Sequence, residues 1–158
     1  MSSPLKLIVS ADSNRGGRRY MEDITEVSTE GDGDAIFLAV FDGHGGPQAA
    51  RFARRCLWPS IRAQPGLWGA ADPVGVCHAI RDGFLACQRA MGEELVNWPR
   101  TPQGHPSTAG TTACCCLIRG GDELYVAHVG DSRAVIAQRH PRGGGTPRTP
   151  LRTWAPLL

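Results

Sequence analysis

The chain has 158 residues, 41% apolar and 20% charged, with 17 Lys and Arg against 15 Asp and Glu, a composition that excludes a disordered chain and predicts one globular domain. The basic excess sits in residues 140–158 (HPRGGGTPRTPLRTWAPLL), where Arg142, Arg148 and Arg152 stand without an acid, so the net charge of +2 puts no basic surface on residues 1–139 and nucleic acid is not expected as a partner. No run approaches the ~18 apolar residues of a membrane span, and the first residues, MSSPLKLIVSAD, lack the basic lead and cleavage site of a signal peptide, so a soluble intracellular protein with no membrane partner is expected.

Leu5, Leu7 and Val9 alternate with Lys6, Ile8 and Ser10 and predict a first strand, followed by a turn at Asn14–Gly17. Asp23–Glu30 has the β-branched content of a second strand, with a turn over 31–34 after it. Ile36–Phe41 (IFLAVF) is apolar on both faces, the pattern of a central strand covered from two sides. Pro47 suits the first turn of a helix, and Ala49, Phe52, Ala53, Cys56, Leu57 and Ile61 make its buried stripe; the helix is expected to end before Pro65. A second helix starts with Asp72 as N-cap and Pro73 at its first position, and buries Val76, Ile80, Phe84, Cys87, Met91 and Leu95. Gly83 and Gly92 weaken it slightly.

A Pro/Gly-rich loop spans residues 99–110, and Thr111–Ile118, Leu124–Val129 and Ala134–Ala137 read as three short strands joined at Gly120-Gly121 and at Gly130-Asp131-Ser132. Strands, then two helices, then antiparallel strands argue for an α+β fold with helices laid on a sheet. From His140 the pattern stops, so residues 1–139 are expected to form the domain and 140–158 a disordered Arg/Pro/Gly-rich tail. Six cysteines, at 56, 77, 87 and 114–116, lack paired CxxC spacing and read as small buried hydrophobes.

Three fragments carry chemistry. Asp42-Gly43-His44-Gly45-Gly46 follows the strand IFLAVF directly, so a carboxylate is held at a rigid strand end while the glycines let other groups approach; oxygen donors of this kind suit magnesium or manganese. Arg18-Arg19-Tyr20-Met21-Glu22-Asp23 sets guanidiniums fit for a phosphate beside carboxylates fit for a metal ion. Gly130-Asp131-Ser132-Arg133 lies between two apolar runs. Taken singly, each also fits a bland alternative: a solvated Asp-Gly turn, a surface charge cluster, and a turn whose Asp bonds its own backbone.

Taken together and in this order, the fragments resemble the metal-dependent (PPM) protein serine/threonine phosphatases. That family is marked by R-x-x-x-E-D, F-D-G-H-G/A-G, G-S/T-T-A and G-D-S-R, which read here R18-R-Y-M-E22-D23, F41-D-G-H-G-G46, G110-T-T-A113 and G130-D-S-R133. The match covers about residues 7–138, and the stretches FARRCLW, IRDGFLACQRAM and YVAHVGDS look closest to the delta-type, DNA-damage-induced (Wip) branch. The resemblance implies a β-sandwich flanked by helices, of which this chain holds the N-terminal half, and hydrolysis of phosphoserine and phosphothreonine in proteins by a water bridging two Mg2+ or Mn2+ ions. It implies that Asp42 bridges the metals, that Glu22 and the Gly43 carbonyl ligate one of them, that Asp23 orders metal-bound water, and that Asp131 holds a third, weaker ion. By the same resemblance Arg18 grips the substrate phosphate and His44 is the general acid that protonates the departing oxygen. The delta-type likeness implies a nuclear or cytoplasmic location.

The family's two further metal aspartates, in D-G-x-W/F-D and D-N segments, are absent. An incomplete domain is expected to expose sheet edges and an apolar face. Two alternatives to an active phosphatase follow: a catalytically inactive, truncated product that binds partners at most, and a small metal-binding protein without catalysis, in which Glu22, Asp42 and Gly43 hold one ion.

Overall fold

A computed structural model describes residues 7–31, 33–69, 72–121 and 123–137. Four strands form one antiparallel sheet in the order β1-β2-β5-β6: β1 (Ile24–Glu30), β2 (Ala35–Phe41), β5 (Ala113–Arg119) and β6 (Glu123–Val129). Two short strands, β3 (Gly43–His44) and β4 (Gly110–Thr111), pair beside it. Between them run α1 (Gln48–Arg62), α2 (Pro65–Gly69), α3 (Pro73–Glu94) and a 3-10 turn, Leu95–Asn97. The architecture is the α+β arrangement expected, and a partial domain: helices cover one face of an antiparallel sheet.

Strand alternation decides which side chains meet the helices. Phe37, Ala39 and Phe41 of β2 and Ala113, Cys115 and Leu117 of β5 share the covered face with Leu57, Trp58 and Ile61 of α1 and Val76, Ala79 and Ile80 of α3. Phe37 stacks on Trp58 with ring centroids 5.0 Å apart. Helix α3 begins as its sequence predicts, with the Asp72 side chain accepting from the Gly75 amide at 2.8 Å and Pro73 at the first position. Gly83 is where α3 crosses α1, since a Cβ there would stand 2.6 Å from the Ile61 Cα.

Two ion pairs align α1 with β1. Arg54 Nε donates to Glu26 Oε2 at 2.7 Å, and Arg62 Nη1 donates to Glu30 Oε2 at 3.0 Å. Eight helical residues rise about 12 Å and four strand residues about 13 Å, so helix and strand run parallel in matching steps.

Four expectations change. Residues 7–10 form no strand, and Ile8 is 87% exposed; residues 1–6 lie outside the described residues. Residues 134–137 form no strand either, with Val135 95% exposed. Both segments lack a paired neighbour among the described residues, and a lone strand leaves its amides and carbonyls to water. Strand β2 is covered on one side only: its other face, with Ile36, Leu38 and Val40, looks outward beside Val27 of β1, Cys116 of β5 and Val126 of β6, because every described helix lies on the opposite face. Helix α2 escapes the sequence because five residues carry too little periodicity, although Pro65 at its start is a signal. The six cysteines are free thiols, with Cys87, Cys114 and Cys115 buried. The expected tail, 140–158, lies outside the described residues. No described helix is long and apolar enough to cross a membrane.

Candidate active site

The register brings the separate motifs to one end of the sheet. Ile24 pairs with Phe41, Val40 with Cys114, and Ala113 with Val129. The start of β1, the end of β2, the start of β5 and the end of β6 therefore lie side by side, and Asp23, Asp42, Thr112 and Gly130-Asp131 extend from them. This antiparallel arrangement converts fragments up to 108 residues apart in the chain into one neighbourhood.

Arg18, Glu22, Asp23, Asp42 and Gly43 line a cleft of about 470 Å³ together with Arg15, Arg19 and Tyr20. Gly43 is demanded by closeness, since a Cβ there would lie 2.5 Å from the Glu22 carbonyl oxygen. The two motifs thus run in backbone contact. The Asp23 carboxyl is raised above the usual range, first by burial, then by the negative charge of Asp42 and a carboxyl–carboxyl hydrogen bond with it, then by Glu22; Arg18 opposes the rise. Three carboxylates, of Glu22, Asp23 and Asp42, stand together here, and Arg18 is the arginine that acts on Asp23; oxygen donors brought together in this way are the kind that suit a hard cation.

Asp42 is fixed by its backbone. Its amide donates to Thr112 Oγ1 at 3.2 Å, and its carbonyl accepts from the Thr112 amide at 2.9 Å and from Thr111 Oγ1 at 3.1 Å. The hydroxyls of Thr112 and Ser132 lie 2.7 Å apart, so the segment next to Asp131 is joined to Asp42 through one threonine. These threonines belong to the G110-T-T-A113 motif, whose sequence alone assigns them no task. His44 is exposed on β3 with its ring against Gly110, where any side chain would collide with it. Among the described residues neither the His44 imidazole nor the Asp131 carboxylate makes a hydrogen bond or ion pair, so the structure joins Arg18, Glu22, Asp23, Asp42 and Gly43 in one cleft and leaves those two beside it. No three His, Cys, Asp or Glu among the described residues are grouped to hold a metal ion. The oxygen donors fit magnesium or manganese in kind and supply part of a coordination shell.

The family model described as Protein phosphatase 2C matches residues 9–146. The chain belongs to the protein phosphatase 2C family. Among similar proteins, Probable protein phosphatase 2C 61 of rice is 39% identical over 125 residues, covering 78% of this chain and 31% of that one. Human Probable protein phosphatase 1N is 39% identical over 132 residues, covering 81% of this chain and 28% of its own length. The crystal structure of serine-threonine phosphatase 2C from Toxoplasma gondii superposes with a TM-score of 0.59 at 22% identity, over 83% of this chain and 47% of that one, which shows a shared fold. The chain thus spans about a third or less of these two protein phosphatase 2C relatives.

Proposed function

We propose that this protein phosphatase 2C chain carries the phosphate-binding and metal-binding part of a site that hydrolyses phosphoserine and phosphothreonine in proteins. The observation that supports it is the single cleft holding Arg18 beside Glu22, Asp23 and Asp42. Arg18 offers paired N–H donors to a phosphate oxygen pair and partly balances the carboxylates. Glu22, Asp42 and the Gly43 carbonyl are the donors for Mg2+ or Mn2+, with Asp131 the ligand of a further ion. A divalent metal bound there supplies charge neutralisation for the phosphoryl group and lowers the pKa of water. Asp23 orders water next to these donors, standing in the same cleft as Asp42. His44, exposed and one residue past Gly43, is the proton donor to the departing serine or threonine oxygen. Thr112 positions Asp42.

The test is phosphate release from an aryl phosphate and from a phosphothreonine peptide, with manganese or magnesium, beside Asp42→Ala. Metal-dependent turnover that is lost in the variant is the expected result; turnover that survives Asp42→Ala refutes the assignment. A second reading is favoured by the absence of a three-residue metal group among the described residues: a chain without turnover that binds phosphoprotein partners. A folded protein that binds the peptide and releases no phosphate supports it. The stretches FARRCLW, IRDGFLACQRAM and YVAHVGDS support the delta-type branch and a nuclear or cytoplasmic place, which imaging of the tagged chain tests.

A further inference from the structure

A second and larger cleft, about 820 Å³, opens between β1 and α1. Its walls are Asp23, Thr25, Glu26 and Ser28 on the strand and Arg51, Arg54, Arg55 and Trp58 on the helix. Asp23 also lines the carboxylate cleft, so the two clefts meet at that residue. From Asp23 to Ser28 the strand rises about 17 Å, room for roughly five extended residues of another chain.

The charges in this groove are unequal. Glu26 is already engaged, with Ser28 Oγ donating to its Oε1 at 2.6 Å and Arg54 Nε to its Oε2 at 2.7 Å. Asp23 stands with Asp42 in the other cleft. Arg51 and Arg55 are exposed, and among the described residues neither has a carboxylate partner; Arg55 lies 5.9 Å over the Phe52 ring. They stand one helical turn apart, about 6 Å. Counting back three residues from the Arg54–Glu26 pair puts Arg51 about 4.5 Å nearer the Asp23 end, with Arg55 farther out. Two unpaired guanidiniums thus line the exit from the carboxylate cleft in a row.

We propose that this groove is a docking site for acidic residues flanking the phosphorylated residue of a protein substrate, with Arg51 reading the nearer acid and Arg55 the farther one. It deepens the proposed function and rests on the phosphorylated residue occupying the Arg18 cleft. Arg51 and Arg55 are specificity residues, remote from the reacting atoms.

The test measures fluorescence anisotropy of a labelled phosphothreonine peptide flanked by glutamates, against the same peptide with glutamines, on the full chain and on Arg51→Ala/Arg55→Ala. At low salt the glutamate peptide is expected to bind about 3- to 10-fold more tightly, the range for two exposed ion pairs, and the double variant to bind both peptides alike. Arg51→Glu/Arg55→Glu is expected to reverse the preference toward a lysine-flanked peptide, a gain that misfolding cannot produce. Equal binding of the two peptides by the native chain, or a preference that survives both double variants, overturns the proposal. Turnover of an aryl phosphate, which has no flank, is followed on the same proteins: its absence from the native chain counts against the catalytic reading, while the peptide ratio reports the groove alone.

Discussion

Replacing Gly83 and Gly92 by alanine is expected to move stability in opposite directions, although both lie inside α3. On helix propensity alone each change gains up to about 1 kcal/mol. At Gly92 a new Cβ meets nothing within 4 Å, so that gain stands, and a melting temperature about 2–4 °C higher is expected for a domain of this size. At Gly83 the Cβ would lie 2.5 Å from Ile61 Cγ1, 2.6 Å from Ile61 Cα and 2.8 Å from Ile61 N, against the ~3.5–4.0 Å of a comfortable carbon contact. Helices α1 and α3 must then part, at an overpacking cost of about 3 kcal/mol that exceeds the propensity gain and leaves a net loss of about 2 kcal/mol. Thermal melts followed by circular dichroism should show Gly83→Ala lower by roughly 4–8 °C. Adding Ile61→Ala should not restore it, since two of the three close atoms are backbone. Equal melting temperatures for Gly83→Ala and Gly92→Ala would refute the close crossing.

Thr112→Val removes the hydroxyl that accepts from the Asp42 amide and meets Ser132, and should cost about 1–2 kcal/mol in urea melts and reduce manganese-dependent phosphate release; a fully active, equally stable variant contradicts the positioning role. Burial alone would raise the Glu26 carboxyl, but hydrogen bonds from Ser28 and Arg54, with the Arg54 charge, hold it below its ordinary value of 4.5. Its stabilising contribution is therefore full above about pH 4.5 and lost as pH falls through the lower folded-state value, so urea midpoints should fall less steeply with acid in Glu26→Gln; parallel pH curves for variant and native protein contradict this. Burial, followed by the neighbouring Cys56, pushes the Cys87 thiol up to about 12, and burial raises Cys115. At pH 8 an aromatic disulfide reagent should label both only after denaturant is added, and six immediate equivalents from the folded chain would show the core to be open.

What the sequence discloses follows from the range of each interaction. The stripe of α1, the Asp72-Pro73 start of α3 and the β-branched and apolar runs of β1, β5 and β6 are local, and these elements form within two residues of where they are expected. Residues 7–10 and 134–137 have the same local pattern and form no strand, because pairing depends on a neighbour that composition does not reveal. The cleft shared by Arg18, Glu22, Asp23, Asp42 and Gly43 is foreshadowed by where these residues fall, at strand ends. The Thr112 contact spans 70 residues and involves a common hydroxyl, so nothing local announces it. Arg51 and Arg55 look in the sequence like any polar side of an amphipathic helix, and gain meaning only from lying parallel to β1.

The single-ended placement of the candidate site leaves the far end of the sheet without a part in it. The β1–β2 and β5–β6 connections lie there together, tied by the Gly120 amide donating to the Asp34 carbonyl at 3.0 Å. Seven-residue strands put about 20 Å between those turns and the carboxylates. Changes of length or composition at either turn that keep the Gly120–Asp34 bond are therefore expected to act at a distance from the carboxylate rim.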